Sequence, residues 1–230
     1  GFARSSGIVG TALVVPGPGL LNASAGIGTA YSASSPIVVV SGQIRSDRLG
    51  LNYGELHEVD DQIDFIRPLT KWSKRVVKTA EIPTVVHEAF VQLYTGRPRP
   101  VEIEVPEDML EEIADVELLD PERPEHPPAN SEVIREAAGI LAASSRPVIW
   151  AGGGAIASGA SEILQRLAEY IQAPVATSRE GKGVISEDHY LSAGAPNFTH
   201  DSLDDLVAGA DVVLAVGTRL ATNNLPESKL

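Results

Sequence analysis

The stretch VVPGPGLLNASAGIGTAYSASSPIVVVSGQ, Val14 to Gln43, joins an apolar run to a glycine-rich turn, a helix of small residues and a second apolar run. Strands that alternate with helices in this way pack as a parallel sheet with helices on its faces. The turn Pro16-Gly17-Pro18-Gly19 is almost stripped of side chains, while its prolines stiffen it. Glycine lets a backbone come close to something because no Cβ intervenes. Two explanations stand: a helix packed tightly onto a sheet, or a turn that borders a cofactor.

The same alternation continues along the chain. TALVV (11–15) suits a short buried strand, followed by a helix over about 19–33 and the strand IVVVS (37–41). After a long polar connection come an apolar-periodic helix near 82–94 and the strand VEIEV (101–105). The segment 107–130, rich in proline and acid, reads as an extended linker crossing a surface, and its composition is also compatible with a structured belt between domains. Ser131 is the expected N-cap of the next helix, EVIREAAGILAAS. PVIWA then runs into Gly152-Gly153-Gly154, followed by a helix over 161–172, a strand PVAT (174–177), a helix near 202–208 and DVVLAVGTR. A strand running into a glycine turn at both Gly152–Gly154 and Gly217 is Rossmann-like, an organisation in which ligands lie beyond the carboxyl ends of strands. The spacing Gly152, Gly154, Gly159 is G-x-G-x-x-x-x-G, however, and departs from the dinucleotide fingerprint. The expected class is α/β, with two parallel-sheet three-layer units over 1–106 and 131–230, the second an incomplete Rossmann-like domain.

Composition removes several alternatives. The chain of 230 residues contains no cysteine, which excludes disulfides, a thiol nucleophile and a thiolate metal site, and suits a cytoplasmic setting. A formal charge of −13 repels phosphate backbones, so nucleic acid is not an expected partner. The cluster Lys71, Lys74, Arg75 and Lys78 reads as a solvated strand or loop face. Apolar runs such as IVVV fall far short of the roughly 20 residues that span a bilayer, so no membrane is expected either. The first residues, Gly-Phe-Ala-Arg, lack both an initiator methionine and a secretion signal, and the expectation is a piece of a longer translated chain.

Seven segments in order resemble one family, the thiamine-diphosphate-dependent enzymes of the acetolactate synthase type. GFARSSG (1–7) is similar to that family's GYAR-x-[ST]-G segment, Gly17–Asn22 to its GPG-x-x-N turn, and Pro36–Gly42 to its P-[IM]-V-x-[VIL]-[ST]-G strand. IRPLTKW (66–72), GRPRPVEIEVPEDM (96–109), RPVIWAGGGAIASGA (146–160) and ADVVLAVGTRL (210–220) complete the pattern. The resemblance implies a partial pyrimidine-binding domain, a linker and a central domain. It implies thiamine diphosphate and Mg2+ as cofactors of the parent enzyme, a 2-oxo acid as substrate, and active sites between subunits of a homodimer or homotetramer. The parent would decarboxylate the 2-oxo acid and join the fragment to an acceptor. Simple decarboxylation of the benzoylformate decarboxylase type stays open, since acceptor choice depends on residues not in this chain.

The resemblance also implies roles for single residues. Gly17, Pro18, Gly19 and Asn22 match the turn that lines the pyrimidine pocket, although Asn22 could equally be a helix-entry residue bonding its own backbone. His57 stands in LHEVDDQIDFIRP, where many acetolactate synthases carry a glutamine facing the active site, with about one extra residue before Arg-Pro. Histidine can exchange a proton near neutral pH, which suits a shuttle; an exposed loop histidine is the competing account. His87 is expected to be structural, and Glu55 and Glu58 are not expected to be the family's activating glutamate, which belongs upstream of GYAR. Gly152, Gly153, Gly154, Gly217 and Arg219 match positions that approach FAD in flavin-binding members, but some members bind no nucleotide. LATNN (220–224) and GAPNFTH (194–200) replace the family's FDDR and MHG-type segments, so flavin stays open. The activating glutamate and the metal-binding GDG…N segment are both missing from this sequence, and the chain alone is expected to be inactive. A different class also stays open: a non-catalytic nucleotide-binding or oligomerisation module whose glycines serve only packing.

Overall fold

The structure is a computed structural model that describes residues 1–122, 124, 127–195 and 202–220. The chain divides into two compact units, Gly1–His126 and Pro127–Leu230. The first contains α1 (Phe2–Ser6), β1 (Gly10–Val14), α2 (Pro18–Ser32), β2 (Ile37–Gln43), α3 (Gln62–Ile66), β3 (Trp72–Arg75), α4 (Ile82–Tyr94), β4 (Val101–Pro106) and α5 (Glu107–Glu111). The second contains α6 (Ser131–Ala143), β5 (Pro147–Ala151), α7 (Gly153–Ala157), α8 (Ser161–Ile171), β6 (Val175–Thr177), β7 (Ser192–Gly194), α9 (Ser202–Gly209) and β8 (Val212–Val216).

Each unit holds one four-stranded sheet, ordered β1-β2-β4-β3 in the first and β7-β6-β5-β8 in the second, and every recorded pairing is parallel. The expected α/β class is what the structure shows. In the first sheet the strand period of two sends Val38 to one face and Val39 to the other. Val38 joins Val101, Ile103 and Val105 beneath Val85, Ala89 and Leu93 of α4. Val39 packs with Leu20 and Ile27 of α2 and with Ile66 of α3. Fully burying an aliphatic side chain of this kind contributes about 1.5–3 kcal/mol. In the second sheet the same alternation puts Ile149 against Leu164 and Ala168 of α8, and Trp150 against Leu203 near the start of α9.

Several local features differ from the sequence-based expectations. Asn130, not Ser131, caps α6, accepting hydrogen bonds from the amides of Glu132 (2.9 Å) and Val133 (3.4 Å). Both residue types are good caps, so only the backbone position separates them. The basic cluster brackets β3, as the strand alternative expected, but it is only partly solvated: Lys78 is exposed, whereas Lys71, Lys74 and Arg75 are half-buried. Lys74 pairs with Glu88 at 2.7 Å, and Arg75 pairs with the buried Glu104. Lys71 donates to the carbonyls of Thr95 and Arg97, and burial lowers its ammonium below the ordinary lysine value, with Arg99 adding to the effect. His87 faces Glu122 at 3.5 Å, tying α4 to the stretch after α5, as suits a structural residue.

The glycines of the second unit meet one another. The amide of Gly152 donates to Val216 O at 2.8 Å, and that of Gly154 to Gly217 O at 2.9 Å. A Cβ on Gly152 would lie 2.4 Å from Gly217 O, and one on Gly217 only 2.2 Å from Ala155 N. Gly217→Ala should therefore destabilise the second unit by about 2–4 kcal/mol, because its φ of +59° adds strain to the clash. Gly159→Ala is the control: its φ is +70° but the space is open, and only the backbone penalty of about 1–2 kcal/mol is expected. Urea unfolding followed by circular dichroism compares them, and equal costs would refute the packing account.

Candidate functional site

In a parallel sheet all carboxyl ends lie along one edge, where connections to the next helices gather. In the first unit this edge carries the turn 15–17 after β1, Ser46 after β2 and Asp108 after β4. Asp108 accepts from the Ser46 amide at 2.8 Å and from its hydroxyl at 2.5 Å, joining the loop after β2 to α5. The loop then makes a compact excursion before α3. Gly50, Asn52, Gly54 and His57 all have φ between +58° and +76°. Arg48 pairs with Glu55, and one Glu58 oxygen accepts from the amides of Gly54 (2.7 Å) and Glu55 (2.9 Å). Glu55 and Glu58 are thus occupied in shaping the loop.

This loop answers what approaches the glycine turn. A Cβ on Gly17 would stand 2.4 Å from the backbone oxygen of His57, and one on Gly19 would stand 2.6 Å from Val15 Cγ2. Gly17 has φ +52° and opens α2 as its N-cap, with Pro18 at the first helical position. The glycines are therefore required by the chain's own packing. The prolyl and amide groups are not consumed in the same way. Pro18 and Asn22, one helical turn apart, are both exposed. The helix entry is formed by Gly17 without a side-chain cap, so Asn22 does not fill the capping role that competed for it. His57 is half-buried and brought against the turn through its carbonyl. A non-glycine residue at φ +72° costs energy that the surrounding loop must hold in place.

Beneath the turn lies a polar cluster that was not anticipated. Glu102 and Glu104 of β4 point to the face that α2 and α3 cover, and both are fully buried. Glu104 is paired with Arg75, its register partner on β3. Glu102 takes a hydrogen bond from Ser41 Oγ on one oxygen, whereas Oε2 has no partner. Ser73, the register partner of Glu102, shares its hydroxyl with Thr70 at 2.7 Å. Burial raises the Glu102 carboxyl to about 8, the neighbouring charge of Glu104 acting in the same direction and the Ser41 hydrogen bond against it. Gln62, 1% exposed, links this cluster to Gly17. A signal for the cluster was present: two acids at alternate positions of a strand that is covered on both faces interrupt the apolar run expected there.

In the second unit, Gly152, Gly153, Gly154 and Gly217 form the backbone junction described above. A Cβ on Gly153 would stand 2.9 Å from Glu180 Cβ. Their identities follow from chain packing, and Arg219 nearby in sequence is exposed. Most of GAPNFTH (194–200) and of LATNN (220–224) lies outside the described residues. Among the described residues no group of three His, Cys, Asp or Glu is placed to hold a metal ion. Among them, too, no helix is long and apolar enough to cross a membrane.

Two parallel-sheet units with glycine turns at their strand ends define a pair of α/β domains. The chain matches the thiamine pyrophosphate enzyme N-terminal TPP-binding domain over residues 1–65 and the thiamine pyrophosphate enzyme central domain over 134–229, and it belongs to that family. Along its whole length it is 38% identical to a probable 2-ketoarginine decarboxylase of Pseudomonas aeruginosa, of which it covers 41%. Over 96% of its length it is 38% identical to a probable acetolactate synthase large subunit of Methanocaldococcus jannaschii, covering 38% of that protein. Over 98% it is 36% identical to the acetolactate synthase isozyme 3 large subunit of Escherichia coli, covering 40% of that one. The chain thus spans about two fifths of the length of these curated relatives.

The buried acid generates a pH prediction. The folded chain keeps a proton on Glu102 up to about pH 8, while the unfolded chain releases it near 4.5. Its folded value is raised, so stability is whole below 4.5 and declines as pH climbs to 8. Glu102→Gln, neutral and of the same size, should remove that decline and be more stable than the parent at pH 8. Urea midpoints measured across this range check it; parallel pH profiles for the two proteins would show that Glu102 is ionised in the fold.

Proposed function

We propose that this chain supplies the pyrimidine side of a thiamine-diphosphate site in an enzyme that decarboxylates a 2-oxo acid and joins the remaining fragment to a second carbonyl compound. The observation that carries this is the exposed Pro18–Asn22 face at the carboxyl edge of the first sheet, where the Gly17 amide is held by Gln62 and the His57 carbonyl packs closely against Gly17. These residues fit the pyrimidine end of the cofactor: a proline ring offers an apolar contact, and the Asn22 amide offers both a donor and an acceptor. When bound, thiamine diphosphate supplies the nucleophilic carbon on which 2-oxo acids lose carbon dioxide. Among the described residues no cluster of His, Cys, Asp or Glu is placed to hold Mg2+, which the resemblance assigns, together with the diphosphate, to a GDG…N segment.

The chain's own part is to bind and orient. Asn22 would fix the plane of the pyrimidine ring, and the rigid turn would exclude water from one side of it. The His57 imidazole, on a loop held by Arg48–Glu55 and the Glu58 carboxylate, would exchange a proton with a group in the site. Several relatives named as acetolactate synthases support carboligation. The relative named as a probable 2-ketoarginine decarboxylase, aligned along the whole chain, favours a second reading in which decarboxylation is the complete reaction. FAD on the second unit is supported by the resemblance alone, since packing accounts for the glycines there. Assembly as a homodimer or homotetramer, and a cytoplasmic setting, belong to the same proposal.

Saturation-transfer NMR with thiamine tests the assignment at the weak affinity expected of one side of a site. Transfer to the pyrimidine protons is expected, with affinity about five- to tenfold lower in Asn22→Ala, the loss of one ordinary hydrogen bond. Absence of transfer, or equal transfer in the variant, would overturn it. With thiamine diphosphate, Mg2+ and pyruvate added, the 230-residue chain by itself is expected to release no carbon dioxide above background. Turnover would show that the upstream glutamate and the later metal-binding segment are dispensable.

A further inference from the structure

Gln62 begins α3, directly after its N-cap Asp61, and lies almost completely out of water. Its side-chain carbonyl accepts from the amide of Gly17 at 2.7 Å. Its Nε2 faces three acceptors: the Gly42 carbonyl at 2.9 Å, Ser41 Oγ at 3.1 Å and Glu104 Oε2 at 3.1 Å. The amide can be placed only one way round, because the Gly17 N–H can only donate and the Gly42 carbonyl can only accept. One side chain thereby ties the β1–α2 turn to the ends of β2 and β4.

The Gly17 amide needs such a partner. It stands at the N-cap of α2, where the helix offers no acceptor, and Gly17 is buried. The backbone there is at φ +52°, a conformation that stays in place only if its surroundings hold it. Pro18 and Asn22 follow within the next helical turn and a half, so a shift at Gly17 moves the whole exposed face.

We propose that Gln62 is a positioning residue for the cofactor-facing turn: it acts through Gly17, without touching the ligand, to hold Pro18 and Asn22 in their binding geometry. This rests on the assignment of that face to thiamine diphosphate. The role is directional. An acceptor is required toward Gly17 and a donor toward Gly42 and Glu104, so no apolar residue of equal volume substitutes. Glutamate keeps the acceptor but sets a second carboxylate beside Glu104, and regains a donor only when protonated.

Residue-resolved amide exchange in the ligand-free chain tests this, with Val39 and Val40 of β2 reporting global opening. In Gln62→Met, exchange at Gly17 should accelerate about five- to tenfold, as expected for one lost hydrogen bond, while Val39 and Val40 are unchanged. In Gln62→Glu the protection should return as pH is lowered, when the introduced carboxyl is neutral. Thiamine affinity by saturation transfer should fall by about fivefold in Gln62→Met although Pro18 and Asn22 are intact. Unchanged Gly17 exchange, or acceleration in step with Val39, overturns the proposal by reducing Gln62 to a general contributor to stability. Should Gln62→Met fail to fold, the pH-dependent protection in Gln62→Glu decides the same question. A wild-type chain without thiamine transfer overturns the cofactor assignment, whereas transfer in the wild type with Gly17 exchange unmoved in the variant overturns the role of Gln62 alone.

Discussion

A buried peptide N–H must find an acceptor, and at the entry to α2 it finds one in the side chain of a residue 45 positions away. The bond between Gly17 and Gln62 joins the first unit's glycine turn to its sheet. The turn alone, with its left-handed glycine, has other conformations open to it. The amide of Gln62 selects one of them, and the neighbouring His57 carbonyl leaves no space for a side chain at Gly17. Pro18 and Asn22 then project from a helix start anchored to β2 and β4.

The anchor is embedded in a polar layer unusual for a central strand. Glu104 is balanced by Arg75, and its other oxygen accepts from Gln62. Glu102 has no cation of its own and sits beside a second acid, so burial favours its neutral form. A neutral carboxyl still accepts the Ser41 hydroxyl, so that bond does not require a buried charge. Polar layers of this kind are less forgiving than apolar packing, since each unpaired group is costly and each bond depends on its neighbours.

The two units use glycine for a common purpose. At Gly17 the chain passes the His57 carbonyl, and at Gly152, Gly154 and Gly217 two strand-end turns interlock backbone to backbone. In both places the observed contacts are intramolecular, so glycine content alone was ambiguous evidence for a ligand. The exposed side chains of the first unit's turn, Pro18 and Asn22, stand beside those glycines.

Much of the fold was legible in the chain. The helix expected near 82–94 spans Ile82–Tyr94, and the strands around Val38–Val40, Ile103 and Ile149 were visible as short apolar runs because burial on two faces demands them. The Pro-Gly turn was readable because its residue types are scarce elsewhere and their backbone demands are local. The family pattern likewise followed from segments contiguous in sequence. What could not be read was everything that depends on distant segments meeting: β3 inside a basic cluster, the pairing of Arg75 with Glu104, and the junction of Gly17, Ser41, Gln62 and Glu104. Residue order by itself determined the α/β alternation and the stiff, side-chain-poor turn, since periodicity and φ preference are properties of neighbours. Only the tertiary structure decided what fills the space above that turn and which polar groups hold it, because hydrogen-bond partners and dielectric environment exist only once remote parts of the chain are packed together.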